Sequence, residues 1–296
     1  MNIFDKLKSY FSKEEPDCNE QNEQMIFEMI NSEIFKFYDF LPEIRSIGKD
    51  HYKIKETEEK ILKLIEENPF VIRMQDEGGY NIGMNAAIPE LKNVVLRCLD
   101  DEVASTQQDQ CGFNIGMHCA SKKYYQSFYK YSSYADMEEC LIKALSNDVA
   151  STQINCYAQN IGMISASSGF EEAVLKSLDN KEASTQQDRY GLNIGMHAVN
   201  NYLENATLKA LDNIEASNQL NNYNVNIGIM AINRGLKDSA IKALMNRTAS
   251  KKGIAFGCNM EGLAIREGIV SSIEEIERLR EEYNEKQGNN EIEILE

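Results

Sequence analysis

Asn193-Ile194-Gly195-Met196 is one of four identical tetrapeptides in this chain of 296 residues. The other three copies occupy 81–84, 114–117 and 160–163, and a fifth copy at 226–229 differs only in ending with Ile. Successive copies are separated by 33, 46, 33 and 33 residues, and a further step of 33 reaches Asn259, where a degenerate sixth copy begins. A fixed period of this length predicts stacked copies of one supersecondary unit. We number these units 1 to 6 from the Asn that opens each copy; the irregular step indicates a 13-residue insertion in unit 2.

Other positions recur with the same phase and indicate how each unit is built. Ala-Ser recurs from 104, 150, 183, 216 and 249, and Asn recurs at 147, 180, 213 and 246. This second set, the asparagine row, falls where a second helix should stop, so we interpret it as left-handed helix C-caps. The Asn that opens each unit predicts a helix N-cap. The Gly two residues later costs a helix about 1 kcal/mol relative to Ala, which we attribute to close approach of neighbouring helices, with Met filling the gap.

These features resemble the ankyrin family, whose units have the same period. The stretch 188–198, Asp-Arg-Tyr-Gly-Leu-Asn-Ile-Gly-Met-His-Ala, resembles the family pattern Asp-x-x-Gly-x-Thr-Pro-Leu-His-x-Ala. Ala-Ile-Asn-Arg-Gly at 231–235 and Ala-Ile-Arg-Glu-Gly at 264–268 resemble the family's interhelical turn. The departures from the family pattern are consistent: Asn replaces Thr, and Gly-Met replaces Leu-His. Because the family's His is replaced, we do not carry over the hydrogen-bond network between units that this His implies.

The resemblance implies an all-α fold, an ankyrin-like helix-turn-helix solenoid of about six 33-residue repeats. Residues 22–47 have helical apolar spacing without the repeat signature and predict an N-terminal helical cap. We place the array at 59–280, after an amphipathic helix and cap at 1–58 and before an acidic tail at 281–296. A Tyr-rich insertion occupies about 122–136. Residues 2–13 carry Phe4, Leu7 and Phe11 among lysines, and we favour packing of this helix on the cap or on a partner over contact with a membrane surface.

The charge and the cysteines limit the classes of function. A net charge of −16 argues against direct nucleic-acid binding, which requires an excess of Lys and Arg. Seven cysteines without a Cys-x-x-Cys pair are typical of reduced thiols, and no run of apolar residues is long enough to span a membrane. We therefore expect a cytoplasmic protein with a basic partner.

The sequence contains no arrangement typical of an enzyme. His118 and His197 stand at the same phase two units apart, so about 20 Å should separate them and they cannot share a metal ion. Cys119 adjoins His118, but consecutive helical residues face different directions, so we expect Cys119 to be a buried structural thiol. There is no phosphate-binding loop. We expect no catalytic residue, no metal and no cofactor.

An aromatic row precedes the later units. Three residues before the opening Asn of units 3 to 6 stand Tyr157, Tyr190, Tyr223 and Phe256. Two interpretations remain open: ring stacking that stiffens the array, and partner contact through broad rings with polar tips. Arg189 and Asn222 lie beside the row. Pairs that precede the interhelical turn should face the same groove, namely Ser167-Ser168, Asn200-Asn201, Asn233-Arg234 and Arg266-Glu267.

The insertion is the second candidate contact surface. It is rich in aromatic and basic residues, and its six aromatic residues are Tyr124, Tyr125, Phe128, Tyr129, Tyr131 and Tyr134. Exposed apolar surface of this size usually marks an interaction site. The alternative is that the insertion extends two helices whose rings pack on neighbouring units.

Together these observations predict a non-enzymatic protein-binding scaffold that sequesters or inhibits a protein partner, such as a basic nucleic-acid-acting enzyme or toxin. Its acidity would accelerate association with such a partner. The alternatives are an acidic mimic of nucleic acid and an adaptor that assembles, or forms homo-oligomers, through the Tyr-rich insertion.

Overall fold

The structure is a computed structural model that describes residues 51–88, 90–121, 134–252 and 257–293. Every regular element within these ranges is a helix, so the described chain is all-α. In chain order the elements are α1 His51–Glu67, a 3-10 helix Pro69–Arg73, α2 Ile82–Ala87, α3 Lys92–Leu99, α4 Glu102–Thr106, α5 Ile115–Ala120, α6 Tyr134–Ala144, α7 Asp148–Thr152, α8 Ile161–Ser168, α9 Glu171–Ser177, α10 Lys181–Thr185, α11 Ile194–Asn200, α12 Glu204–Ala210, α13 Ile214–Asn218, α14 Ile227–Arg234, α15 Lys237–Met245, α16 Arg247–Lys251, α17 Met260–Arg266 and α18 Ile273–Glu293.

Three kinds of helix recur in the same order. The first helices are α2, α5, α8, α11, α14 and α17, the second helices are α3, α6, α9, α12, α15 and α18, and the short third helices are α4, α7, α10, α13 and α16. Each first helix packs on its own second helix and on the first helix of the next unit. Second helices contact second helices in the same way, and third helices contact third helices. Each unit thus continues the packing of the one before it.

The opening Asn of each unit forms the predicted N-cap. Asn193 is fully buried, and its side-chain oxygen accepts from the Met196 N–H at 3.0 Å. Its side-chain amide donates to the Ala216 carbonyl at 2.9 Å, in the third helix of the same unit. The same pair of bonds recurs in units 1, 2, 3 and 5. One amide therefore caps the first helix and ties it to the third.

Close approach of helices explains the Gly inside each first helix. A Cβ added to Gly195 would lie 2.6 Å from Cδ1 of Ile227 in the next unit and 2.7 Å from Cβ of Ala210 in its own second helix. In units 1 to 4 the space beside Gly is thus filled by Ile of the following unit and not by Met as expected, whereas Met260 fills the space beside Gly228 of unit 5. Unit 6, the last described unit, carries Glu261 at this position, and the Glu261 carboxylate pairs with Arg280 at 2.8 Å.

The asparagine row does not form left-handed C-caps. Asn180 has φ −84° and ψ 109°, and its side-chain oxygen accepts from the Ala183 N–H, so it is the N-cap of the third helix α10. Its side-chain amide also donates to Ser151 Oγ of the preceding unit at 3.0 Å. The row and the recurring Ala-Ser therefore form one inter-unit hydrogen-bond ladder, repeated at Asn147, Asn213 and Asn246.

The last described helix runs into the predicted acidic tail. Helix α18 continues to Glu293, through the segment that we expected to be an acidic tail from 281. Arg278 pairs with Glu282 at 2.7 Å across this boundary, and such i,i+4 pairs extend a helix. The predicted amphipathic helix and most of the predicted cap, residues 1–50, lie outside the described residues. None of the described helices is both long and apolar enough to cross a membrane.

Candidate binding surface at the tip loops

Five short loops precede units 1 to 5, and we name them the tip loops: 76–80, 109–113, 155–159, 188–192 and 221–225. In the fourth loop, Asp188 Oδ1 accepts from the Tyr190 and Leu192 amides at 2.8 and 2.9 Å. Gly191 takes the left-handed conformation with φ +76°. The first residue of each of the other loops makes the same two bonds. The loops are thus rigid copies of one turn.

Neighbouring tip loops are joined in a fixed register. The N–H of the second residue in one loop donates to the carbonyl of the third residue in the loop before it. Arg189 donates to Tyr157 in this way at 3.3 Å, and Asn222 donates to Tyr190 at 3.0 Å. A Cβ added to Gly112 would lie 3.0 Å from Cα of Asn155, which shows how closely the backbones approach. The second residue of each loop therefore lies beside the third residue of the preceding loop.

Three members of the predicted aromatic row are exposed on these loops. Tyr157, Tyr190 and Tyr223 are 43%, 47% and 77% exposed. The Arg189 guanidinium lies 4.7 Å from the Tyr157 ring centroid and 4.9 Å from that of Tyr190, and it donates to the Tyr190 hydroxyl at 2.9 Å. Asn222 donates to the Arg189 carbonyl at 3.0 Å. A cation between two rings, and not ring-on-ring stacking, thus connects Tyr157 to Tyr190.

A cleft of about 530 Å³ opens beside Tyr157, Arg189 and Tyr190. Its wall also contains His118, together with Tyr80 and Phe113, which were not among the predicted contact residues. The His118 ring centroid lies 5.2 Å from that of Tyr80 and 5.5 Å from that of Phe113. The signal was present in the sequence, because these two aromatic residues occupy the fifth position of their loops. Aromatic rings thus line the cleft together with the Asp109 and Asp188 carboxylates and the Arg189 guanidinium.

The two histidines are buried loop anchors. His118 Nε2 lies 3.0 Å from Asp109 Oδ2, and His197 Nε2 lies 3.1 Å from Asp188 Oδ2. Burial alone would raise the pKa of each carboxyl, but the histidine and the loop amides together hold it below its usual value. Where the loop begins with Asn155 or Asn221, the histidine position holds Ile164 or Met230. Each Asp–His pair thus ties a tip loop to a first helix, whereas the loop that begins with Asp76 has Asn85 at the histidine position.

One of these pairs is extended by a serine. Ser167 Oγ lies 3.0 Å from His197 Nδ1. Because the Asp188 carboxylate can only accept, Nε2 carries the proton and Nδ1 is left to accept from Ser167. The residue order is that of a Ser-His-Asp triad, with the two ring nitrogens of the histidine exchanged. In the equivalent pair, His118 contacts Asp109 in the same way, although Ile88 stands where Ser167 would be. The bond between the histidine and the tip loop therefore forms without a serine.

The predicted turn residues form a second group away from the cleft wall. Arg234 donates to Asn200 Oδ1 at 3.1 Å and to the Tyr202 hydroxyl at 3.2 Å, and its guanidinium lies 5.4 Å from the Tyr202 ring centroid. Tyr202, which our sequence analysis missed, has φ +58° where three other units have Gly. Asn201 donates to the His197 carbonyl at 3.2 Å, and Asn233 is exposed.

The remaining turn pairs differ in exposure. Ser168 is buried, and its hydroxyl donates to the Ala120 carbonyl at 2.6 Å, which is a bond between units. Arg266 pairs with its neighbour Glu267 at 3.0 Å. We therefore remove Ser168 from the candidate surface.

Six residues of the predicted contact surfaces lie outside the described residues, and so does the side chain of Tyr134. The six are Phe256, Tyr124, Tyr125, Phe128, Tyr129 and Tyr131.

The described part of the chain shows no metal-binding group. There, no three His, Cys, Asp or Glu side chains gather in a group that could hold a metal ion. Cys119 is buried, as predicted. No protein-family model matches the chain, and no curated protein resembles it significantly.

Proposed function

We propose that this chain is an ankyrin-like solenoid and a non-enzymatic scaffold that binds a protein partner through its tip loops. The recurring order of three helices, the 33-residue period and the inter-unit packing support the solenoid. The exposed row of Tyr157, Tyr190 and Tyr223 on rigid loops carries the functional part of the proposal.

The physical argument rests on preorganisation. Ordering flexible side chains and loops opposes binding, and the tip loops have already lost that freedom through their paired amide bonds and their links to neighbouring loops. Tyrosine offers a large contact area at a low cost in side-chain entropy. Arg189 holds two of the three rings at a set spacing. A partner would therefore meet a surface that needs little rearrangement.

The partner that fits this surface is basic. The chain has a net charge of −16, which raises the local concentration of a basic protein and its association rate at low salt. Cationic side chains of the partner could contact the exposed Tyr faces, in the way that Arg189 does from within the chain. Holding a basic enzyme or toxin on this face would sequester or inhibit it. Charge complementarity is the basis for this choice of partner.

Affinity capture with the full chain tests this proposal. The bait is immobilised and exposed to native lysate, captured proteins are identified by mass spectrometry, and their affinity is then measured with purified components. Replacing Tyr157 and Tyr190 with Ala should weaken binding at least about tenfold, because central aromatic residues dominate interface energetics. Tyr283→Ala, an exposed tyrosine of helix α18, is the matched control and should leave affinity unchanged.

Three outcomes would contradict the proposal or redirect it. Unchanged affinity in the double variant would move the contact elsewhere, and the Tyr-rich insertion would then be the adaptor surface. A loss of affinity of several orders of magnitude with salt would favour a mimic of nucleic acid. Labelling of Ser167 by a fluorophosphonate, absent in Ser167→Ala, would show that Ser167 is an activated nucleophile and would favour an enzyme.

A further inference from the structure

Cys111 and Cys156 lie beside each other on neighbouring tip loops. Cys111 is the third residue of the loop at 109–113, and Cys156 is the second residue of the next loop. The Cys156 N–H donates to the Cys111 carbonyl at 2.8 Å. One unit further on, the same two positions hold Tyr157 and Arg189, whose side chains are in direct contact. The register of the loops thus places the two thiols side by side.

The separation of these residues suits a disulfide. The path from Cys156 Cα through its N–H···O=C bond to Cys111 Cα allows a separation of at most about 6.7 Å, within the range of about 4.4–6.8 Å that a disulfide bridges. Both side chains are exposed and line the same cleft. Desolvation, the Asp109 carboxylate and the adjacent Cys156 thiol together raise the pKa of the Cys111 thiol, which agrees with contact between the two sulfurs.

We propose that Cys111 and Cys156 form a redox modification site, at which a two-electron thiol oxidant such as hydrogen peroxide produces a reversible disulfide. Two S–H bonds and the peroxide O–O bond break, one S–S bond forms, and two water molecules leave. The two electrons pass from the sulfurs to the peroxide oxygens. A dithiol reductant reverses the reaction by thiol–disulfide exchange.

This bond would staple unit 2. The residues between the two cysteines include the first and second helices of that unit, the insertion and the third helix α7. Closing a loop of this length restricts the unfolded chain, and the expected gain corresponds to a rise in Tm of about 5–10 °C. The proposed disulfide thus stabilises the unit whose helices are separated by the longest connection.

The other described cysteines are poorer candidates for oxidation. Cys98, Cys119 and Cys140 are buried. Burial keeps an oxidant from their sulfurs, and in Cys98 burial and the nearby Asp101 carboxylate also raise the pKa of the thiol to about 12. Cys258 is partly exposed and serves as a control.

The test uses the full chain oxidised with hydrogen peroxide. Remaining thiols are alkylated, the protein is digested without reduction, and cross-linked peptides are identified by mass spectrometry. We expect the free thiol count to fall by two from the seven in the chain, a Cys111–Cys156 peptide as the main linked species, and the rise in Tm given above. Dithiothreitol should reverse all three changes.

Variants make the result specific. Cys111→Ser and Cys156→Ser change exposed residues and should each fold with an unchanged helical circular dichroism spectrum while losing the linked peptide and the rise in Tm. Cys258→Ser should retain both. Seven alkylated thiols after oxidation, or a main linked peptide that contains any other cysteine, would overturn the proposal. A linked peptide without a rise in Tm would overturn the stapling of unit 2.

Discussion

Replacing Gly195 with Ala should destabilise the array, although Ala is the better helix former. The added Cβ would lie 2.6 Å from Ile227 Cδ1 and 2.7 Å from Ala210 Cβ. Ile227 can adjust its side chain, but the position of Ala210 Cβ is set by the backbone of helix α12, so two helices must move apart. Overpacking of this kind costs about 1–3 kcal/mol.

The gain in helix propensity opposes this cost. Ala is favoured over Gly by about 1 kcal/mol in a helix interior and by less in the first turn, where Gly195 stands. The net expectation is a loss of about 1–2 kcal/mol in the free energy of unfolding. Urea titration followed by circular dichroism measures it, with the Gly195→Ala midpoint lower than that of the parent chain.

Gly262 is the matched control because it also lies in the first turn of a first helix. A Cβ at this position would have no contact closer than 3.4 Å, the distance to Asn259 Oδ1. Gly262→Ala should therefore raise stability by about 0.5 kcal/mol. Shortening Ile227 to Val in the Gly195→Ala background should recover part of the loss, since one of the two clashing atoms is removed. If Gly195→Ala and Gly262→Ala change the free energy of unfolding equally and in the same direction, close packing is not the reason that Gly recurs in the first helices.

Three further predictions concern the loops and the ladder. Ala158→Gly should raise stability by about 0.5–1 kcal/mol in thermal melts, because Ala158 has φ +60° where three other tip loops have Gly, and an unchanged or lower Tm would contradict this. Asp188 has a lowered folded-state pKa, so its contribution is fully present above about pH 4 and is lost as the pH falls further. Asp188→Asn should therefore have a lower free energy of unfolding than the parent chain at pH 7, and this free energy should fall less steeply as the pH is lowered below about 4. Parallel curves of stability against pH for the two proteins would argue against the pairing with His197. Asn180→Ala should cost about 1–2 kcal/mol through loss of the N-cap, and Asn180→Asp, which keeps the acceptor but not the donor to Ser151, should cost less in the same denaturant titration.

The helical architecture was predictable because the period is explicit in the residues. Asn at the start of each unit has one favoured role at a helix N-terminus, and the structure confirms it. The asparagine row was misassigned because Asn suits both a left-handed C-cap and an N-cap, and the third helix, which decides between them, is only five residues long. The partner of each Gly was missed because it belongs to the following unit, 32 residues away at Ile227 for Gly195.

The candidate surface was predictable in part. The spacing of Tyr157, Tyr190 and Tyr223 placed them on equivalent loops, and exposure follows from that placement. The role of Arg189 between two rings depends on the lateral register of the loops, which no local pattern encodes. Tyr202 was missed because a Tyr with φ +58° is rare, so its equivalence to the turn glycines was not considered.

The most direct test of the central proposal is site-specific photo-crosslinking in native lysate. A benzophenone side chain is placed at position 190, within the aromatic row, or at position 283 on helix α18, and the chain is irradiated and its adducts are identified by mass spectrometry. We predict a discrete protein adduct from position 190, reduced by Tyr157→Ala and absent from position 283. No protein adduct from position 190, or equal adducts from both positions, would contradict a binding function for the tip loops.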